Sequence, residues 1–150
     1  MFKYLVIKNA VSFELANFIF NYFLLKRDAV KFMYDNNIVY DTGMLGTWSD
    51  QQVPNTYSHY ADMVMETLMM KVLPRMEKET GLKLLPTYSY ARLYKKGEPP
   101  KHLWREVRVN PMVGRIIMFP AWLWHCVDPN NTNDIRISVS FNFIQKGFNV

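Results

Sequence analysis

Leu15, Ile19 and Phe23, with Ala16, Phe20 and Leu24, recur three and four positions apart, and this periodicity predicts an amphipathic helix that lays an aromatic stripe on a flat neighbour. Ser12 stands just ahead of it, with a side-chain oxygen suited to the free N–H groups of a first turn. A short strand over residues 4–7 precedes this cap. Residues 35–54 carry Asp35-Asn36-Asn37, Gly43, Gly46 and Pro54 with little periodicity, which predicts a long ordered or lid-like loop. A second helix is expected to begin near Asn55 or Thr56. It runs through Met63, Val64, Leu68 and Val72 towards Gly81, a residue suited to a left-handed C-terminal cap, with Pro74 as a kink point. From Leu82 the period changes from helical to alternating. Strands are expected at residues 82–85, 88–95, 105–109, 115–119, 124–127 and 135–143, separated by Gly97 with Pro99-Pro100, Asn110-Pro111, Phe119-Pro120 and Asp128-Pro129-Asn130-Asn131.

A chain of 150 residues implies a single domain, 1–150, divided into helical support over 1–81 and a β core over 82–150. Hydrophobic residues make up 49% and charged residues 21%, with 10 Phe, 9 Tyr and 4 Trp, enough apolar volume for a folded core. The single cysteine, Cys126, excludes an internal disulfide, dithiol redox chemistry and any cysteine-clustered metal centre. The net charge of +5 favours approach to polyanions, but the basic residues form no run, so nucleic acid is neither indicated nor excluded as a partner. The apolar stretch 10–25 is interrupted by Glu14, Asn17 and Asn21 and followed by no cleavage site, so the expectation is a soluble, cytoplasmic protein without signal peptide or membrane span.

Two strands concentrate the polar chemistry. Along residues 135–143, Ile135, Ile137, Val139, Phe141 and Phe143 share one face, while Arg136, Ser138, Ser140 and Asn142 share the other. In residues 88–95, Tyr88, Tyr90, Arg92 and Tyr94 face one way and Ser89, Ala91 and Leu93 the other. Such a face commonly meets water, and tyrosines commonly pack across strands with their hydroxyls outward. A barrel or jelly roll instead turns it inward, where an arginine fork followed two residues later by a hydroxyl grips a carboxylate of an anionic small molecule. Three histidines are present: His59, His102 and His125. His59, with Asp62 three positions on, reads as a structural surface pair. His102 and His125 fall at strand edges, and two imidazoles on neighbouring strands can hold Fe(II), Zn(II) or Cu(II), though a third ligand is needed for a strong site.

The run Gly114-Arg115-Ile116-Ile117-Met118-Phe119-Pro120-Ala121-Trp122-Leu123-Trp124-His125, then ten residues, then Arg136-Ile137-Ser138 and Phe141-Asn142-Phe143, resembles the C-terminal half of an Fe(II)/2-oxoglutarate-dependent dioxygenase. Upstream, the segment Tyr88 to Gly97 followed by His102 is similar to the lead-in to the first iron ligand of prolyl-hydroxylase-like members, including phage-encoded ones. The resemblance implies an α+β fold: a double-stranded β-helix, or jelly roll, with two supporting N-terminal helices. It implies iron held by His102 and His125, and 2-oxoglutarate held by Arg136 with Ser138 and Tyr94 assisting. The activity implied is hydroxylation of an undefined small-molecule or polypeptide substrate, with decarboxylation of 2-oxoglutarate to succinate and ascorbate as a supporting reductant.

The departures are equally specific. The family reads His-x-Asp or His-x-Glu where this chain reads His102-Leu103-Trp104. Glu106 lies four positions past His102, about 13 Å along an extended strand, and Asp128 sits in an ordinary turn sequence. A halogenase-type site, which dispenses with the acid, carries a small residue where Trp104 stands. Between His102 and His125 there is room for about two strands, fewer than a complete jelly roll requires. The fold is therefore expected to be incomplete, with exposed sheet edges that invite a homo-oligomer. A catalytically inactive jelly-roll binding module and a structural or assembly protein are the alternative readings. Substrate contacts are expected in the loop 41–53, with Trp48.

Overall fold

The computed structural model describes residues 4–49, 55–60, 62–97, 108–123 and 125–147. The element order is β1 (Leu5–Ile7), α1 (Phe13–Asp35), α2 (Thr42–Leu45), β2 (Thr47–Ser49), β3 (Thr56–Tyr60), α3 (Met63–Thr80), β4 (Leu84–Tyr94), β5 (Ile116–Met118) and β6 (Arg136–Gln145). Strands β2, β3, β4 and β6 form a four-stranded antiparallel sheet in that order, while β1 and β5 pair as a separate antiparallel ribbon. A mixed α/β architecture with antiparallel sheets agrees with the expected class.

Local sequence explains most of the element boundaries. The Ser12 side chain accepts a hydrogen bond from the Leu15 N–H at 3.3 Å and starts α1 as expected. Gly81 ends α3 at φ +70°, the left-handed conformation that glycine adopts without a Cβ penalty. Pro74 sits within α3, which continues through it. The second helix starts later than its pattern suggested. Residues 56–60 are strand β3, and the cap is Asp62, whose Oδ1 accepts from the Val64 N–H at 2.8 Å and the Met65 N–H at 3.3 Å. Thr-Tyr-Ser-His-Tyr is rich in β-branched and aromatic residues, so its local preference favours a strand once β4 is available to pair with.

The stretch read as a loop also contains structure. Asp41 caps the single turn α2, and Trp48, expected to contact substrate, is buried on β2 opposite Tyr57; this corrects its assignment, because its ring belongs to the core. Residues 50–53 of that loop fall outside the described residues. The strands expected at 82–85 and 88–95 are one strand, β4, with a register shift between Pro86 and Ser89. Of the strand expected at 124–127, Trp124 lies outside the described residues and 125–127 form no strand; the chain rejoins the sheet through an isolated bridge between Asn130 and Lys96. Most of the strand expected at 105–109 lies outside the described residues.

The core fills the space between one sheet face and the helices. Ile19, Phe23 and Val30 of α1 and Met65, Leu68, Val72 and Met76 of α3 cluster with Tyr57, Ala91 and Leu93 of the sheet, and Ile137, Val139, Phe141 and Phe143 pack around them. The alternation read along the last strand is therefore realised: its apolar set faces the helices. The predicted stripe of Leu15, Ile19 and Phe23 with Ala16, Phe20 and Leu24 is buried or half-buried, while Phe18, Leu25 and Phe32, outside it, stay exposed. Among the described residues no helix is long and apolar enough to cross a membrane.

Gly114 joins the two halves of the chain. Its carbonyl accepts from the Ala10 N–H at 2.7 Å, its φ is +74°, and a Cβ there would lie 2.2 Å from the Val11 carbonyl oxygen. Gly114→Ala combines a left-handed backbone with a backbone clash and is expected to cost about 3 kcal/mol, a fall in melting temperature of about 6–12 °C for a chain of this length. Thermal denaturation checks it; an unchanged midpoint contradicts the close approach.

Candidate functional site: a polar sheet face with two guanidinium groups

The sheet face turned away from the helices gathers most of the residues expected to bind a carboxylate. Tyr94 on β4 is paired in register with Arg136 on β6, and Arg92 with Ser138. Ser58 of β3 lies on the other side of Arg92. Because side chains alternate along strands, Thr56, Ser58, Arg92, Tyr94, Arg136 and Ser138 share this face. The Arg136 guanidinium carbon stands 5.2 Å from the Tyr94 ring centroid, and one Nη donates to the Asp128 carbonyl at 2.7 Å. Burial pulls the Arg136 pKa below its ordinary value, against the opposing pull of Tyr94 and Asp128, but the group stays charged throughout the physiological range. Tyr90 lies beneath the Arg92 guanidinium at 5.5 Å and extends the face into a tyrosine ladder with Tyr60 and Tyr88. The cross-strand aromatic packing read from the sequence is thus present beside the cationic groups.

Hydrogen-bond accounting gives this face its chemical character. Arg92 Nε, Arg136 Nε and Thr56 Oγ1 are sealed from solvent without a hydrogen-bond partner. A buried donor left unmade costs about 1–3 kcal/mol, so unpartnered donors gathered on one face mark a place for an acceptor. A carboxylate fits: Arg136 Nε and the Ser138 hydroxyl are the donor types it takes, and its charge matches the guanidinium.

Asn130, read from the sequence only as part of a turn, holds the adjoining loop. Its side chain donates to the carbonyls of Tyr94 at 3.4 Å and Asp134 at 2.5 Å, and its Oδ1 accepts from the Thr132 hydroxyl at 2.8 Å. The loop so fastened presents the Asp128 carbonyl to Arg136.

His125 is exposed, and its Nδ1 lies 2.9 Å from the Leu123 carbonyl. With Nδ1–H donating there, Nε2 is left with a free lone pair. The Phe119 ring packs on the imidazole at 4.4 Å, and Ala121, Trp122 and Leu123 line an open depression beside it. His102, Trp104 and Glu106 lie outside the described residues. Among the described residues no three His, Cys, Asp or Glu side chains come together as a metal-binding group, and the tryptophan at the family's carboxylate position offers no oxygen donor. Of the two expected iron ligands only His125 lies among the described residues, and an imidazole is a donor that iron takes; the sequence places no carboxylate at position 104 to complete the set.

A second polar cluster lies on the opposite, helix-facing side. His59 is 1% exposed on β3, so its pairing with Asp62 is buried and not at the surface. Asp62 Oδ2 is 2.6 Å from Lys26 Nζ, 2.5 Å from the Tyr22 hydroxyl and 3.1 Å from His59 Nε2. Tyr57 bonds both the Leu45 carbonyl at 2.5 Å and His59 Nδ1 at 2.8 Å. Tyr57 has one hydroxyl proton; donated to Leu45, it leaves the phenol oxygen to accept from Nδ1–H of a neutral His59. Burial and the Lys26 ammonium lower the His59 pKa, outweighing Asp62, and Nε2 makes no hydrogen bond despite its short approach to the carboxylate. Asp62 is itself held below the usual carboxylate range: burial would raise it, but the hydrogen bonds from Lys26, Tyr22 and Val64 prevail.

Both shifts make the fold acid-sensitive. Below the ordinary histidine value of 6.5 the unfolded chain takes up a proton that buried His59 refuses, so stability falls as pH drops past that point. The Asp62 contribution is complete above its ordinary value of 3.8 and is lost as pH falls through its lower folded value. Urea denaturation across an acidification series should show a two-stage decline, and a flat profile through the histidine range contradicts a neutral buried His59.

Comparison with known proteins bears on this geometry directly. Residues 56–142, more than half of the chain, match the family described as "Putative 2OG-Fe(II) oxygenase", a match that spans β3, α3, β4, β5 and most of β6. No curated protein and no solved structure gives a significant match. The chain belongs to the 2-oxoglutarate/Fe(II) oxygenase family, whose members in general use iron and 2-oxoglutarate.

Proposed function

We propose that this chain binds 2-oxoglutarate on the polar face of its four-stranded sheet, with Arg136 and Tyr94 taking one carboxylate and Ser138 assisting, as the cosubstrate of an oxygenase-type reaction. The observation that carries this reading is the buried, unpartnered Nε of Arg136 beside Tyr94. The finer reaction is hydroxylation of a substrate C–H by O2, one oxygen atom entering the substrate and the other entering succinate as 2-oxoglutarate loses CO2, with ascorbate as a supporting reductant. It further requires iron held by His102 and His125 and a third donor from somewhere other than Trp104. The chain's own contribution is to fix the keto acid by its carboxylate and to shield it from water with the buried walls of Thr56, Ser58 and Tyr94.

A second reading, a binding module without turnover, is favoured by one specific feature, the tryptophan in place of the metal carboxylate. Thermal denaturation with 2-oxoglutarate, with and without Fe(II) under anaerobic conditions, combined with a succinate assay in air, separates the two. Stabilisation together with succinate supports an oxygenase, stabilisation without succinate supports the module, and no stabilisation in either condition contradicts the proposal.

A further inference from the structure

Arg136 accounts for one end of a dicarboxylate, but the same face holds a second guanidinium with no assigned partner. Arg92 is flanked in register by Ser58 on β3 and Ser138 on β6. Its Nε is buried and unpartnered, and so is Thr56 Oγ1, on the same face two residues from Ser58. Tyr90 supports the Arg92 guanidinium from below without satisfying its N–H groups. Arg136 lies two positions from Ser138 along β6, which makes Arg92 and Arg136 diagonal neighbours across an antiparallel pair, with Cα atoms about 7–8 Å apart. With a guanidinium carried by each, that spacing suits a short-chain dicarboxylate.

We propose that Arg92, with the hydroxyls of Thr56, Ser58 and Ser138 around it, is a second carboxylate anchor, so that the protein alone holds a five-carbon dicarboxylate at both ends, independently of metal. This inference rests on the Arg136 reading above and deepens it. Where a complete set of metal ligands is present, one end of the keto acid is held by chelation; in a chain with Trp104 at the acid position, a guanidinium supplies the positive charge that end needs. The recognised class is therefore the C5 dicarboxylate itself, and the keto group contributes little to metal-free affinity.

The test is calorimetric titration of the full chain in chelator-treated buffer with 2-oxoglutarate, glutarate and butyrate, repeated with 2-oxoglutarate in the presence of Mn(II). Glutarate and 2-oxoglutarate are expected to bind without metal, each at least about tenfold more tightly than butyrate, since a charge-assisted pair is worth that factor or more. Arg92→Gln should abolish the preference for glutarate over butyrate, and Arg92→Lys, which keeps the charge and loses the fork, should restore part of it. Wild-type chain that binds glutarate no better than butyrate, or that binds 2-oxoglutarate only with Mn(II), overturns the second anchor and leaves Arg136 standing. Absence of 2-oxoglutarate binding in every condition overturns both.

Discussion

Asp62→Ala is expected to destabilise the protein by about 3–5 kcal/mol, which lowers the melting temperature by about 6–20 °C. One carboxylate does two jobs. Its Oδ1 caps α3 through the Val64 and Met65 N–H groups, and its Oδ2 receives Lys26 and Tyr22 of α1. Loss of a cap alone costs about 1 kcal/mol. The larger part comes from Lys26, whose side chain is only 17% exposed and would be left without its counter-ion. Asp62→Asn keeps a capping oxygen but not the charge, so it should fall between wild type and Asp62→Ala. Chemical denaturation of the three proteins checks this order. A cost below about 1 kcal/mol for Asp62→Ala would mean that the cluster behaves as an ordinary exposed ion pair.

Arg136→Gln is expected to weaken 2-oxoglutarate binding by about 100-fold while leaving the fold intact. The loss follows from removing a charged, bidentate donor from a site it shares with buried Tyr94. The fold tolerates the change because the protein uses only part of this guanidinium: an Nη meets the Asp128 carbonyl, while Nε is left over. Titration calorimetry and a thermal scan of the same variant separate binding from folding. Undiminished affinity in a folded variant would remove Arg136 from the site.

The polar face was legible in the sequence because it depends on a period of two. Tyr88, Tyr90, Arg92 and Tyr94, and Arg136, Ser138, Ser140 and Asn142, could be assigned to faces before their pairing was known, and the resemblance attached a carboxylate to three of these residues. What no single strand reveals is register. The juxtaposition of Arg92 with Ser58 and Ser138 depends on how β3, β4 and β6 are aligned, and β3 was hidden in the run-up to a helix. The buried cluster was hidden for a related reason. Its members come from α1, β3 and the cap of α3, and the available signal was Lys26 four residues after Tyr22 within an otherwise apolar helical stretch. A charge in such a place asks for a buried partner. Asn130 escaped notice because Asp-Pro-Asn-Asn is ordinary turn chemistry, and only the fold shows its side chain reaching the backbone at the end of β4.

The most direct test of the central claim is a nitrogen-15 NMR spectrum of the arginine Nε–H groups during titration with 2-oxoglutarate, with the Arg136 resonance assigned by its absence from Arg136→Gln. A carboxylate accepting from that Nε shifts its signal in a saturable, one-to-one manner. An Arg136 resonance that stays in place while the ligand binds elsewhere contradicts the account.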